Sequence, residues 1–190
     1  AIDSLGNRAV VSSNNTGRTH SFPEPDVLDG ATALLVDGHL LDVQIALART
    51  AESMCIPVVL DGGSYKPGLD ALLKYVSHPI ISADFHVPGV ADDQLLETLI
   101  GAGATFAART HGGGAIEAIV DQKLYSLPIQ QVPAEQVVDT LGAGDVIHGA
   151  FTAALGAGQE PLSSLAAAAQ LATLSVRSAG TMGWAASNDS

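Results

Sequence analysis

Apolar residues recur along this chain in two alternating rhythms. Short continuous runs end in Asp, Gly or Thr: Ala31 to Gly38, Ile56 to Gly63, Pro79 to Asp84 and Ala104 to Thr110. Between them the apolar positions return at helical spacing. Asp42 to Ser53 carries Val43, Ile45, Ala46, Leu47 and Ala51; Leu69 to Val76 carries Leu69, Leu72, Leu73 and Val76; Asp92 to Ala102 carries Leu95, Leu96, Leu99 and Ile100. A continuous apolar run suits a strand buried on both faces, and the helical recurrence suits a helix with one buried side. The alternation predicts an α/β fold, a mostly parallel sheet covered by helices on both sides. Right-handed crossovers gather the C-terminal ends of such strands at one edge, where open α/β sheets bind ligands. Asp37, Asp61, Ser82, Asp84, Thr110 and the loop from Asp139 to Asp145 are expected at that edge.

The flanking regions follow other patterns. Ala115 to Val120 and Lys123 to Leu127 read as a hairpin turning at Asp121-Gln122. A helix is expected from about Gly142 to Leu155, and Pro161 to Arg177 reads as an alanine-rich helix apolar on several faces and hence buried. Before the first buried run, Ala1 to Ser13 reads as strand, turn and strand, and Asn14 to Asp29 as a polar loop with Gly17, Pro23 and Pro25. The chain thus divides into a hairpin and linker over 1–28 and an α/β core over 29–190.

Composition narrows the function. With 190 residues the chain is long enough for one sizeable core, and 47% hydrophobic against 15% charged residues marks it as globular. A net charge of −12 with eight Lys and Arg argues against nucleic-acid binding. An anion site here must be built from backbone dipoles and a metal ion, not from the net field. The single cysteine, Cys55, excludes an intramolecular disulfide and is expected to be a buried structural thiol. No apolar run approaches the ~18 residues of a membrane span, and the first residues do not read as a signal peptide. A cytoplasmic protein is the default. The histidines are scattered without metal-ligand spacing.

Candidate chemistry concentrates in Val137 to Phe151. Two β-branched residues lead through Asp139-Thr140 to the small turn Gly142-Ala143-Gly144, then Asp145 and a run of helix formers. Backbone N–H groups at such a helix start lack intrahelical partners and favour an anion such as phosphate. An acid beside a phosphate makes sense as the base that takes a proton from an attacking hydroxyl. The alternative is an acid that simply stabilises a helix N-terminus. Thr110-His111-Gly112-Gly113-Gly114 follows a strand, and is either a second phosphate-facing loop or a plain turn. His148 lies one turn after Asp145, and reads either as a second proton carrier or as a packed, hydrogen-bonded histidine.

Asp139-Thr140-Leu141-Gly142-Ala143-Gly144-Asp145 resembles the D-T-x-G-A-G-D signature of the ribokinase-like (PfkB) carbohydrate kinases. The resemblance implies ATP-dependent phosphoryl transfer to a hydroxyl of a sugar-like small molecule. Asp145 would be the general base, and the amides of Gly142, Ala143 and Gly144 the anion hole. Thr110 and Gly112 match a nucleotide-contacting T-x-G loop of the family, although Ala115 stands where a later glycine is usual. Where many members carry an N-x-x-E motif for magnesium and phosphates, this chain has Ser82 and Asp84, similar to ketohexokinase-like members. Ser82 would then face the nucleotide and Asp84 the Mg²⁺. Asp139 would support a monovalent cation such as K⁺ together with carbonyls between Val176 and Gly183, or would serve only as a turn residue. Ala168 and Leu171 would line an adenine pocket, with core packing the simpler reading of both. The family commonly has Asn at the position of His148.

The implied fold is a three-layer α/β/α sandwich. The chain resembles the last two thirds of such a kinase, incomplete at its N-terminus, with the remnant of a β lid through which a homodimer would form. The family's acceptor-gripping glycine pair and early Asp have no counterpart. Two alternatives stay open: a truncated nucleotide-binding remnant without kinase activity, and a kinase of nucleosides or a hydroxymethyl-pyrimidine.

Overall fold

The computed structural model describes residues 21–24 and 26–185. The expected lid hairpin, and the homodimer contact assigned to it, fall within the first 20 residues, outside the described residues. Strand and helix alternate as β1 (Leu34–Val36), α1 (Leu41–Ser53), β2 (Val58–Gly62), α2 (Leu69–Leu73), β3 (His78–Ile81), α3 (Leu95–Gly101) and β4 (Phe106–Arg109). The hairpin β5 (Ile116–Val120) and β6 (Lys123–Leu127) follows, then α4 (Ala143–Gly156) and α5 (Pro161–Ser175). One six-stranded sheet results, ordered as in the sequence from β1 to β6. β1 to β4 are parallel and β5 and β6 antiparallel, so the expected mostly parallel α/β sheet is present.

Successive strands step in one direction across the sheet. Right-handed crossovers therefore place α1, α2 and α3 on the same face. Alternate strand residues supply the two faces. Val36, Val58, Leu60, Ile81 and Ala107 join α1 to α3 through Ala48, Leu69, Leu72, Leu95 and Leu99. Val59, Ile80, Phe106, Ala108 and Ala118 point the other way and pack on α4 and α5 through Ile147, Phe151, Leu165, Ala168 and Ala169. The layers are α/β/α, with α4 and α5 paired over the second face.

Several boundaries differ from expectation. Cys55 is exposed rather than buried. α1 ends at Ser53, and Cys55 takes the left-handed conformation (φ 56°) while the Ile56 N–H donates to the Ala51 carbonyl at 2.8 Å. That six-to-one bond is a Schellman stop, which turns the residue after the cap outward and buries the next one. α5 is buried on one side only. Leu171 and Leu174 are exposed, because α4 and the sheet cover one face and nothing among the described residues covers the other. α2 stops at Leu73, and the third helix opens with a short 3₁₀ turn at Asp92–Gln94. No helix among the described residues is long and apolar enough to cross a membrane.

His78 is buried at the start of β3, 5.8 Å from the Phe106 ring and 6.1 Å from the Phe151 ring. Burial pushes its pKa down to about 4, from an ordinary value of 6.5. The folded state keeps this ring neutral, while the unfolded chain takes a proton as pH falls through 6.5. Its contribution is therefore fully present above pH 6.5 and is lost as pH falls towards 4. The gap corresponds to about 3 kcal/mol. Urea denaturation at neutral pH and near pH 4 should show that loss, and His78→Phe should flatten the decline by about that amount.

Candidate active site

The C-terminal ends of β1 to β4 lie along one edge and bring Asp37, Gly62, Ser82 and Thr110 to it. Asp37 accepts the His39 N–H at 2.9 Å and the Gln44 amide at 2.6 Å, which closes the turn after β1. α4 starts at the same edge. Its N-cap is Gly142 in the left-handed conformation (φ 81°), and no side chain caps the helix. The Val146 N–H donates to the Gly142 carbonyl at 2.9 Å. The N–H groups of Gly142, Gly144 and Asp145 have no acceptor among the described residues. Open donors at the positive end of a helix are the elements of an anion site. Asp145 is exposed in that first turn.

The loop before α4 is laced to the segment after α5. Asp139 Oδ1 accepts the Leu141 N–H at 2.9 Å, an Asx turn, and Oδ2 accepts the Gly180 N–H at 3.2 Å. The Val138 and Asp139 N–H groups both donate to the Val176 carbonyl. A side chain at Gly142 would meet Thr181 Cγ2 at 2.9 Å, so the left-handed φ and the close approach both call for glycine there. Asp139 therefore acts as a turn residue, set against the segment whose carbonyls are the expected cation ligands.

Beside this turn lies a cleft of about 450 Å³. Ala143 and Gly144 form one end and Thr110, Gly112 and Gly113 another, while α5 contributes Ala169, Ala172 and Thr173. Gly112 is left-handed (φ 58°), and added β-carbons at Gly112, Gly113 and Gly144 would meet nothing within 4 Å. The backbone is thus open to a ligand at all three. The structure brings together Thr110, Gly112, Ala143 and Gly144. Ala168 and Leu171 are not part of the wall. Ala168 is buried against the sheet and Leu171 faces outward. The cleft is lined by the neighbouring positions of α5, because the helix is rotated so that Ala169, Ala172, Thr173 and Val176 share the inward stripe.

Ser82 and Asp84 stand beyond the end of β3, outside the cleft wall. Ser82 Oγ donates to the Gly63 carbonyl at 2.9 Å and accepts the Asp84 N–H at 3.2 Å, while the Asp84 carboxylate is exposed. Among the described residues no group of three or more His, Cys, Asp or Glu side chains assembles to hold a metal. Mg²⁺ keeps several waters and takes phosphate oxygens, so one exposed carboxylate such as Asp84 fits its needs.

Arg109 was not foreseen from the sequence. It is buried at the end of β4, donates to the carbonyls of Ala83 (3.0 Å) and Asp92 (3.2 Å), and reaches Asp92 Oδ2 at 3.1 Å. It holds the loop that carries Asp84. The His86 ring and the Arg109 guanidinium keep the Asp92 carboxyl below the usual carboxylate range. An arginine at the end of an apolar strand was the available signal.

Comparison with known proteins agrees with this architecture. A candidate ribokinase from Agrobacterium tumefaciens superposes with a TM-score of 0.77 at 24% identity, over 96% of this chain and 62% of that one. Arabidopsis thaliana ribokinase, solved with ribose and ATP, gives 0.69 at 22% identity, over 86% of this chain and 57% of its own. Anopheles gambiae adenosine kinase, in complex with P1,P4-di(adenosine-5) tetraphosphate, gives 0.65 at 18% identity, over 83% of this chain and 54% of its own. The chain therefore spans about 62% or less of the length of these structural relatives. Among curated proteins none matches the sequence. The model of the pfkB family carbohydrate kinases matches residues 27–187, and on that match the chain belongs to the pfkB family of carbohydrate kinases.

Proposed function

We propose that this chain carries the phosphoryl-transfer half of an ATP-dependent kinase acting on a hydroxyl of a sugar or related small molecule. The observation that carries the reading is the uncapped N-terminus of α4, with open N–H groups at Gly142, Gly144 and Asp145 beside the cleft. Bound ATP with Mg²⁺ would supply the transferable phosphoryl group and neutralise its charge. The open amides would hold the phosphate as negative charge shifts on its oxygens. Asp145, in the same turn, would take the proton from the acceptor hydroxyl. Thr110 and Gly112 would steady the nucleotide, and Asp84 would face the metal. Asp139 would keep the anion turn against Val176 and Gly180, near which a monovalent cation such as K⁺ would sit.

A second reading is nucleotide binding without transfer. It is favoured by the open turn itself, whose N–H groups can hold an anion whether or not a proton is moved beside it. The likeness to an adenosine kinase fold keeps nucleosides among the acceptors to be tried.

The test combines [γ-³²P]ATP and Mg²⁺ with a panel of sugars, nucleosides and a hydroxymethyl-pyrimidine. Labelled acceptor supports transfer; nucleotide binding with no labelled acceptor supports the second reading. Ala172→Phe should fill the cleft from the α5 side and weaken binding of the ATP analogue AMP-PNP by about tenfold, with an unchanged circular dichroism spectrum. Unaltered affinity in that variant would place the nucleotide elsewhere.

A further inference from the structure

His148 lies in α4 one turn beyond Asp145 and is 5% exposed. Its Nδ1 is 2.7 Å from the Gly144 carbonyl oxygen, and its Nε2 is 3.0 Å from the Ile80 carbonyl oxygen in β3. The Asp61 carboxylate, on β2, stands 3.4 Å from Nδ1. Carbonyl oxygens only accept, so the ring nitrogen that carries hydrogen donates to the carbonyl it faces, and the Asp61 carboxylate stands on the Nδ1 side. One ring thus ties the first turn of α4 to the two strands beneath it.

The tie acts on a particular peptide. The Gly144 carbonyl and the Asp145 N–H belong to the same planar trans unit and point in opposite directions. Holding the carbonyl against His148 fixes where the Asp145 N–H points, and that N–H has no acceptor among the described residues. Donation into the carbonyl also polarises the peptide and strengthens its N–H as a donor. Gly144 has no side chain of its own to fix this turn, so the ring's hold adds to the hydrogen bonds of the helix. The same hold fixes the Cα of Asp145.

We propose that His148, supported by Asp61, is a positioning residue for phosphoryl transfer: it aims the Asp145 amide at the transferring phosphate and holds the Asp145 side chain in register. This rests on the transfer reading given above, and it goes beyond ordinary core packing of a buried histidine.

Three variants test it. His148→Leu keeps bulk and removes both ring nitrogens; His148→Asn keeps one short donor within reach of the Gly144 carbonyl; Asp61→Asn removes the supporting charge. Each is measured for kcat, for the KM of ATP, and for binding of ADP with Mg²⁺, alone and with aluminium fluoride as a mimic of the transferring phosphate. His148→Leu should lower kcat by about 30-fold with KM within about threefold, and should weaken the fluoride complex by a similar factor while ADP alone is unaffected. His148→Asn should recover most of the loss, and Asp61→Asn should lower kcat and fluoride-complex affinity by about fivefold.

Unchanged kcat per folded molecule in His148→Leu, or equal weakening of ADP with and without fluoride, would reduce His148 to packing and overturn the proposal. If His148→Leu does not fold, Asp61→Asn decides, and wild-type values there overturn it. If the unmodified chain labels no acceptor, fluoride-dependent tightening that the variants lose supports the positioning role while the transfer reading fails. Absence of such tightening in the unmodified chain overturns both.

Discussion

Asp145→Asn is expected to lower the rate of phosphoryl transfer by about a thousandfold, with AMP-PNP affinity within about threefold of the unmodified chain. The substitution preserves shape and removes the charged acceptor of a proton. It sits in the first turn of α4, so the loss of a favourable charge–dipole contact costs about 0.3–1 kcal/mol of stability, too little to unfold the helix. Removing a negative charge beside the open amides also relieves repulsion towards the nucleotide's phosphates. Affinity should therefore hold or rise slightly as turnover collapses. Single-turnover transfer from [γ-³²P]ATP, set against calorimetric binding of AMP-PNP, separates the two. Turnover close to that of the unmodified chain would remove Asp145 from the role of base and leave it as a helix-start residue.

Gly62→Ala should destabilise the fold by about 3 kcal/mol, or roughly 10 °C in Tm for a chain of this size. Gly62 is buried at the end of β2, and an added β-carbon would lie 2.5 Å from Ile81 Cγ2, 3.1 Å from Ile81 Cα and 3.2 Å from the Ile80 carbonyl oxygen. Two of these three atoms are backbone, so rotating a side chain cannot relieve the clash. β2 and β3 must part instead. The displaced Ile80 carbonyl is also the acceptor for His148 Nε2, so strain in the sheet is passed to the start of α4. Gly63→Ala is the matched control. Its β-carbon would meet only Asp61 Oδ1, at 3.9 Å, and its effect should stay within about 0.5 kcal/mol. Equal thermal stability of the two variants would contradict the packing seen between β2 and β3.

What could be read from the chain alone depended on short-range pattern. The continuous apolar runs announced β2, β3 and β4, and helical spacing announced α1 and α3, because burial on two faces or on one stripe imposes those periods locally. The Asp139-to-Asp145 stretch was legible for the same reason. A turn of small residues running into a helix leaves its donors open whatever surrounds it. The tight turn between Val120 and Lys123 shows the same point for the hairpin, where Asp121 and Gln122 both adopt positive φ.

Other features depend on which distant segments meet. The outward turn of Cys55 follows from where α1 stops. The replacement of Ala168 and Leu171 by Ala169, Ala172 and Thr173 in the cleft wall follows from the rotation of α5 about its own axis, which an alanine-rich helix with no strong apolar stripe leaves undetermined. Arg109 gains its meaning only when β4 brings it under the loop from Ala83 to Asp92. His148 gains its own from a carbonyl 68 positions away in sequence. By itself the sequence determined the alternation of strands and helices and the glycine turn with open N–H groups that begins α4, since hydrophobic period and backbone donors are local properties. Only the tertiary structure decided which side chains hold that turn in place, since a buried polar group takes whatever partner the packing of separate elements sets before it.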